Sequence, residues 1–146
     1  MIIGQYSANL SPKRRIAIPK KIRKELGEKM IVAKWYEGCL VLIGETNWDA
    51  LLKRLTGESK IITAPVRDTD RFILGSAYEL DPDGQGRVIL PLSLVNYANL
   101  SKDVIFIGLG DRAEIWERKE WEKRESYVSQ HAGEFVENLA DKKNEE

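Results

Sequence analysis

Short apolar runs bounded by glycine, proline and charged residues organise the first half of the chain. Ile31-Val32-Ala33 and Leu40-Val41-Leu42-Ile43 flank a polar turn, and this pattern predicts a β-hairpin. Residues 20–26 lie between Pro19 and Gly27. Because proline is tolerated in the first turn of a helix and glycine often ends one, these residues predict a short helix.

The second half of the chain repeats the first. Arg15-Ile16-Ala17-Ile18-Pro19 aligns with Arg87-Val88-Ile89-Leu90-Pro91 at an offset of 72 residues. Upstream, Ala8-Asn9-Leu10-Ser11 aligns with Tyr78-Glu79-Leu80-Asp81 at an offset of 70, so the loop of the second copy is two residues longer. Each copy therefore predicts a strand, a polar turn, a short strand ending at proline, a short helix and a hairpin.

The two copies are expected to share one core. A unit of about 45 residues buries too little apolar surface to fold alone. We therefore expect interleaved strands in one α+β, β-rich domain, a pseudo-twofold β-barrel with flanking helices. The predicted single domain covers 1–146, with the first repeat at about 4–48, a helical link at 48–73, the second repeat at about 75–121, and a C-terminal helix and tail at about 117–146.

Helical spacing of apolar residues predicts three further helices. Residues 48–55 and 65–72 are expected to form linking helices between the copies. An amphipathic helix near the C-terminus is predicted from apolar residues at intervals of seven, four, three and four, namely Trp121, Val128, Ala132, Phe135 and Leu139. Two roles are open for this last helix, which are packing on the barrel and packing against a neighbouring subunit.

The composition is that of a globular protein. Of the 146 residues, 42% are hydrophobic and 32% are charged, so the chain can fill a core and keep a solvated surface. No apolar run approaches the roughly 18 residues needed to cross a bilayer, and no charged-then-apolar leader follows Met1. We therefore expect a cytoplasmic protein with no membrane partner. Cys39 is the only cysteine, which excludes an intramolecular disulfide and suits a reducing compartment.

The charges are unevenly distributed, although they sum to a formal net charge of zero. Residues 13–24 contain seven cations, and the first acidic residue of the chain is Glu25. Residues 111–146 contain eleven acidic and seven basic residues. The balanced total therefore conceals a basic segment in the first repeat and an acidic segment at the C-terminus.

The basic segment is the strongest candidate for a binding site. Its cations can neutralise phosphates and release condensed counterions, and arginine can also bond bidentately to phosphate or guanine. A solvated basic face without a partner explains a charge run equally well. The recurrence of Arg15 as Arg87, each before an apolar-x-apolar-Pro sequence, favours binding. A structural ion pair with Asp81 or Asp83 is the alternative explanation for a repeated arginine, and the two roles can coexist.

Taken together, these motifs resemble those of the MraZ family, and the resemblance covers nearly the whole chain. It implies two tandem AbrB-like swapped-hairpin repeats in the barrel, and a sequence-specific duplex DNA-binding transcriptional regulator of the division and cell-wall gene cluster. It also implies a ring-shaped homo-oligomer on promoter repeats, associated with the nucleoid. The matching residues are Lys13, Arg15, Ile16, Ile18 and Pro19 in the first copy, and Gly75, Gly86-Arg87-Val88, Leu90-Pro91 and Glu114-Ile115-Trp116 in the second.

The first copy departs from the family motif, which is an Asp-x-Lys-Gly-Arg turn before the short strand. Ser11 stands in place of the aspartate, and Arg14 stands in place of the glycine. Ser11 can accept a backbone hydrogen bond but cannot pair ionically with Arg15. The second copy keeps Asp83 four residues before Arg87 but has the longer loop, so the reach of that loop is open.

Five residues are the predicted DNA contacts. The resemblance supplies the two repeated arginines and the charge pattern supplies the others, giving Lys13, Arg14, Arg15, Lys20 and Arg87. We expect no enzymatic activity, metal site, cofactor or small-molecule substrate. His131 and Cys39 are the only histidine and the only cysteine, so these two residue types cannot supply a zinc cluster. A different class of function stays open, in which the barrel is an antitoxin-like or scaffold protein-interaction module and the acidic C-terminal helix binds a partner.

Overall fold

The structure is a computed structural model that describes residues 1–57 and 63–145. Residues 58–62 of the predicted link and residue 146 of the predicted tail lie outside the described residues. The strands are β1 (Gln5–Asn9), β2 (Arg15–Ala17), β3 (Met30–Lys34), β4 (Leu40–Gly44), β5 (Tyr78–Leu80), β6 (Arg87–Ile89), β7 (Asp103–Gly108) and β8 (Arg112–Glu117). The helices are α1 (Lys20–Leu26), α2 (Glu45–Thr56), α3 (Ala64–Ile73), α4 (Leu92–Tyr97) and α5 (Arg118–Glu145).

The predicted order of elements is confirmed in both copies. The two hairpins are β3–β4 and β7–β8, and each is preceded by the predicted strand, turn, short strand and short helix. Helix α1 begins directly after Pro19 and ends at Leu26, and the N–H of the capping residue Gly27 donates to Arg23 O at 3.0 Å. The linking helices predicted at 48–55 and 65–72 lie within α2 and α3.

Six strands form one antiparallel sheet in the order β1-β7-β8-β4-β3-β5. The two copies exchange their first strands, because β1 pairs with β7 of the second copy and β5 pairs with β3 of the first. Strands β2 and β6 pair with each other in a separate two-stranded ladder. The strands of the two copies are therefore interleaved within a mixed α+β fold.

The six-stranded sheet is open, with β1 and β5 as its two edges. The sequence predicted a closed barrel, and the described strands do not form one. The physical reason is the position of β2 and β6. Each follows an edge strand along the chain, but it pairs with its counterpart from the other copy and does not extend the sheet. The α+β class is confirmed, and the helices hold more of the described residues than the strands do, with 28 in α5 alone.

Apolar side chains are buried on both faces of the six-stranded sheet. On one face, Val32 and Leu42 belong to the core cluster that includes Ile16 and Val88 of the β2–β6 ladder. The opposite face packs against α2, α3 and the beginning of α5. Burial on both faces explains why β3, β4 and β7 are continuous apolar runs without the alternation of half-buried strands.

Helix α5 is anchored to the sheet by its first two turns. The ring of Trp121 packs against Trp116 with centroids 5.5 Å apart, and Glu125 accepts a hydrogen bond from Gln5. Farther along the helix, Val136 and Leu139 are 67% and 69% exposed. Packing on the sheet, one of the two roles predicted for this helix, therefore applies to its beginning.

Glu114, on the strand β8 within the sheet, is a half-buried carboxyl beside the buried Cys39. Its Oε1 accepts a hydrogen bond from the indole Nε1 of Trp116 at 2.9 Å. Burial raises the pKa of Glu114 above its ordinary value, and burial also raises the pKa of the Cys39 thiol. The Glu114-Ile115-Trp116 motif therefore brings a titratable group to the edge of the core.

We expect Glu114→Gln to stabilise the fold increasingly as the pH rises. Because the pKa of Glu114 is higher in the folded chain than in the unfolded one, its ionisation opposes folding above the ordinary value of 4.5. Glutamine keeps the acceptor for Trp116 and does not ionise. Thermal unfolding from acidic to mildly alkaline pH measures the difference, with the exposed Glu122→Gln as control. A difference between wild type and Glu114→Gln that does not grow with pH would contradict this prediction.

Candidate nucleic-acid interface

The outer face of the β2–β6 ladder carries both repeated arginines. Arg15 pairs with Ile89, and Ala17 pairs with Arg87, in antiparallel register. These four residues are exposed, whereas the residue between them on each strand is buried. Side chains alternate between the two faces of a strand, so Arg15 and Arg87 lie diagonally across the same face. The structure therefore brings the two predicted arginines together.

Two turns of the same shape precede β2 and β6. In the first, Arg14 N–H donates to Ser11 O at 2.9 Å, and in the second, Gly86 N–H donates to Asp83 O at 2.9 Å. The φ angles of Arg14 and Gly86 are 62° and 77°. The loop of the second copy is longer, as predicted, but its extra residues precede the turn. The turn next to the arginine thus has the same length in both copies.

A side-chain oxygen fixes each turn. Ser11 Oγ accepts a hydrogen bond from Arg15 N–H at 3.0 Å, and Asp83 Oδ1 accepts one from Arg87 N–H at 3.0 Å. Asp83 Oδ1 also accepts from Gln85 N–H at 2.9 Å. The backbone hydrogen bond predicted for Ser11 is confirmed, so the serine has the same structural role as the aspartate in this part of the turn.

The second arginine has a carboxylate partner and the first does not. Arg87 Nε donates to Asp83 Oδ2 at 3.0 Å, and both side chains are partly exposed. Arg15 forms no ion pair within the described part of the chain, because Ser11 stands where the second copy has Asp83. The structural ion pair considered for the repeated arginines is therefore confirmed for Arg87 alone.

Acidic side chains share a depression with both arginines. Arg15 and Arg87 line a shallow depression of about 340 Å³ together with Glu79, Asp81 and Asp83. These carboxylates lower the positive potential beside the ladder. The two arginines, although equivalent in the repeat, therefore differ in the ion pair that Arg87 alone makes with Asp83.

The remaining predicted contacts lie at three different places. Lys13 is exposed at the tip of the first turn. Lys20, at the start of α1, is exposed and lines a groove with Gln85 of the second turn. Arg14 is half-buried, and its Nε donates to Leu90 O at 3.0 Å. Of the five predicted contacts, Arg14 is thus the one whose guanidinium is engaged with the backbone.

Arg23 belongs to this site, although it was counted only in the basic segment of residues 13–24 and was not among the five predicted contacts. Its Nε donates to Ile18 O at 3.0 Å, at the end of β2, and its guanidinium lies against Gly86. Local spacing gives no sign of this contact, because Arg23 and Gly86 meet only through the pairing of the two copies. The sequence offers one indication of a special role for Arg23. In the alignment of the two copies, the residue equivalent to Arg23 is Val95, so the arginine is not shared by the two helices.

Across residues 1–57 and 63–145, no group of three or more His, Cys, Asp and Glu side chains is placed to hold a metal ion. None of the helices described is both long and apolar enough to cross a membrane.

The fold and the site define a class of protein, in which two internal repeats interleave and present twin arginine turns on one face. The sequence profile of a family described as "MraZ protein, putative antitoxin-like" matches residues 1–72 and again residues 73–142. Each match contains one of the two repeats. The chain belongs to the MraZ family.

Relatives are similar over nearly the whole chain. A protein of Syntrophomonas wolfei subsp. wolfei named Transcriptional regulator MraZ is 39% identical over 141 residues, which cover 97% of this chain and 98% of that protein. A Leuconostoc citreum protein of the same name is 36% identical over 141 residues, with the same coverage. A third, from Clostridium tetani, is 38% identical over 128 residues and covers 84% of this chain.

We expect Asp83 to keep a lowered pKa when Arg87 loses its charge. The backbone N–H groups of Arg87 and Gln85 are the largest causes of the lowered pKa of Asp83, and the guanidinium is a smaller one. Arg87→Met keeps both N–H groups. Carboxyl-carbon NMR should therefore place the titration midpoint of Asp83 below the ordinary 3.8 in wild type and variant alike.

The lowered pKa of Asp83 also determines how the stability of the fold changes with pH. The contribution of Asp83 to the turn is present above its ordinary pKa and is lost as the pH falls through the lowered one. A return of the Asp83 midpoint to its ordinary value in Arg87→Met would mean that the ion pair, and not the turn, holds the carboxylate.

Proposed function

We propose that this protein binds duplex DNA in a sequence-specific manner and regulates transcription. The observation that carries the proposal is the outer face of the β2–β6 ladder, where Arg15 and Arg87 lie on one exposed surface. Relatives over nearly the whole chain are named Transcriptional regulator MraZ. By resemblance to that family, the targets are promoter repeats upstream of the division and cell-wall gene cluster.

A two-stranded ladder is a type of element that can read bases. The major groove of DNA is about 12 Å wide and admits a two-stranded β-ribbon. A guanidinium lies near each end of the outer face and can bond bidentately to guanine or to phosphate. Ala17 and Ile89 complete this face and offer apolar contacts to thymine methyl groups. Lys13 and Lys20, at its margins, neutralise phosphates and position the protein.

The two turns contribute unequally to this binding. Arg87 has to leave Asp83, or share it with the DNA, when it contacts DNA, because the two side chains form an ion pair. Arg15 is next to Lys13 and has no carboxylate partner in the described residues. We infer that Arg15 supplies more of the affinity and that the contribution of Arg87 depends on the order of its turn.

We infer that the protein acts as a homo-oligomer, and as a ring by resemblance to the family. One pair of arginine turns makes few contacts, so several copies on repeated DNA sites gain affinity through multivalency. The exposed outer half of α5 is the surface along which we infer that the copies meet. This helix is about 42 Å long, and Val128, Val136 and Leu139 are exposed beyond its anchored turns.

The resemblance to the family also supports inferences about the fold, the domain organisation and the location of the protein. We infer that the interleaved copies are the AbrB-like swapped hairpins of the family and form one domain over 1–146. The exchange of β1 and β5 between the copies supports this inference. We also place the protein in the cytoplasm, at the nucleoid, with no enzymatic activity and no cofactor.

A protein-interaction module is the second candidate function. The family description includes the words antitoxin-like, and the exposed part of α5 combines apolar residues with Glu134, Glu137 and Asp141. A helix of this kind can lay an apolar face into a groove on a partner. A stable one-to-one complex with another protein, without any shift of duplex DNA at low salt, would favour this candidate.

Gel-shift titration tests the proposed function. We expect the protein to shift a duplex from upstream of its target genes at lower concentration than a scrambled duplex of equal length and composition. Specific and non-specific affinities of such proteins differ by roughly a thousandfold or more. Equal affinity for the two duplexes would contradict sequence specificity.

We expect Arg15→Ala to weaken binding to the specific duplex more than Arg87→Ala does. Loss of a bidentate contact costs about 1–3 kcal/mol, or roughly 5-fold to 150-fold in affinity. Both side chains are exposed, so the thermal midpoint should change little. Arg71→Ala is the matched control, because Arg71 is an exposed, ion-paired arginine on α3, across the sheet from the ladder. Equal losses for Arg15→Ala and Arg87→Ala would contradict the inferred inequality of the turns.

We expect charges on the apolar stripe of α5 to dissociate the oligomer. Val128→Glu with Leu139→Glu places two carboxylates where copies would meet, and both residues are exposed within one chain, so the fold should persist. Light scattering should show the mass falling toward the 16.7 kDa of one chain. Gln130→Glu, on the opposite side of the helix, is the control. An unchanged mass in the double variant would exclude this surface as the interface.

A further inference from the structure

The residue before each proline of the repeat has a carbonyl that accepts a guanidinium hydrogen bond. Arg23 Nε donates to Ile18 O at 3.0 Å, and Arg14 Nε donates to Leu90 O at 3.0 Å. Ile18 and Leu90 are equivalent positions of the two copies, at an offset of 72 residues. We call each of these contacts a guanidinium cap, and the same cap closes β2 and β6.

The two caps take their arginine from different positions. At each cap, a helix residue of one copy meets a turn residue of the other. Beside Ile18, the helix residue is Arg23 and the turn residue is Gly86. Beside Leu90, the turn residue is Arg14 and the helix residue is Val95. The helix therefore supplies the first cap and the turn supplies the second.

Each cap holds one guanidinium. A Cβ atom on Gly86 would lie 2.2 Å from Nε and Cζ of Arg23, so a side chain at position 86 would displace that guanidinium. At the other cap, Arg14 and Val95 line the same groove, and the side chain of Val95 has no donor. The glycine of the second turn thus leaves room for Arg23, and the valine of α4 leaves Leu90 O to Arg14.

Arg14 is held in a backbone conformation that favours glycine. Its φ of 62° lies in the left-handed region, where Gly86 has a φ of 77° at the equivalent point of the second turn. Such a conformation persists in other residues when the surroundings fix it. The hydrogen bond from the Arg14 side chain to Leu90 O is a contact that does so.

Backbone hydrogen bonds reinforce both caps. Leu90 N–H donates to Arg14 O at 2.8 Å, and Ile18 N–H donates to Gly86 O at 2.9 Å. Residue 14 therefore holds Leu90 at both its N–H and its carbonyl. The first turn, which carries Arg15, is fixed to the end of β6 by these two bonds.

We propose that Arg14 is a positioning residue that caps Leu90 in place of the arginine that α4 lacks at Val95, and that it thereby holds the turn that presents Arg15. The arginine at position 14, where the family has glycine, then supplies the cap that valine at position 95, the equivalent of Arg23, cannot supply. The effect on DNA binding rests on the proposed function, whereas the cap itself does not depend on DNA.

A double-mutant cycle on residues 14 and 95 tests the cap without DNA. Arg14→Gly removes the donor and opens the space, and Val95→Arg then offers a donor from the helix, as Arg23 does beside Gly86. We expect Val95→Arg to raise the thermal midpoint by roughly 3 to 8 °C in the Arg14→Gly background and not to raise it beside Arg14. Equal effects of Val95→Arg in the two backgrounds would overturn the proposal.

The first cap provides the matched control cycle. Arg23→Val with Gly86→Arg builds, beside Ile18, the arrangement that the protein has beside Leu90. Gly86→Arg should lower the thermal midpoint more while Arg23 remains, because it displaces that guanidinium from Ile18 O, than after Arg23→Val has cleared the space. Additive effects of Arg23→Val and Gly86→Arg would mean that one guanidinium does not exclude the other, against the proposal.

DNA binding distinguishes a positioning residue from a phosphate contact. Arg14→Gly should weaken specific binding without changing the slope of log affinity against log salt, and Val95→Arg should restore the affinity. A fall of about one in that slope for Arg14→Gly would identify a phosphate contact and overturn the positioning role. Coupling in the thermal cycle together with no duplex binding by the wild type would leave the cap in place and reject the DNA-binding function.

Discussion

The arginine face depends on one antiparallel pairing, that of β2 with β6. Ile16 and Val88 face each other in this ladder and are 1% and 4% exposed. Burial of each such aliphatic side chain stabilises the fold by roughly 1.5–3 kcal/mol. Because side chains alternate along a strand, the register that buries these two residues also turns Arg15 and Arg87 outward. A slip of one residue would bury the arginines, so the core determines the geometry of the site.

Each arginine turn is held in place by hydrogen bonds with the other copy. The first turn is bonded to the end of β6, and the second turn is bonded to the end of β2, through Leu90 N–H and Ile18 N–H. The edge strands are exchanged in the same way, since β1 pairs with β7 and β5 pairs with β3. The backbone of each turn is therefore held by a hydrogen bond from the other repeat.

Local features of the fold were readable from the sequence, and long-range ones were not. Pro19, Gly27 and the apolar runs predicted α1 and both hairpins, because the capping and periodicity that specify these elements lie within a few residues. The spacing of Asp83 and Arg87 revealed their possible ion pair for the same reason. The open sheet was mistaken for a barrel because periodicity does not say which strands pair. The contact of Arg14 with Leu90 spans 76 residues and leaves no local pattern.

The two turns show how a duplicated site can diverge with little loss of folding stability. Ser11 keeps the backbone hydrogen bond that Asp83 makes in the second copy, so the first turn loses an exposed ion pair and little else. Exposed ion pairs contribute little to stability, whereas an uncompensated arginine on an open face interacts with phosphates at full charge. The first turn therefore gains positive charge without losing its shape. The second turn keeps the ion pair between Arg87 and Asp83, so it carries less uncompensated positive charge.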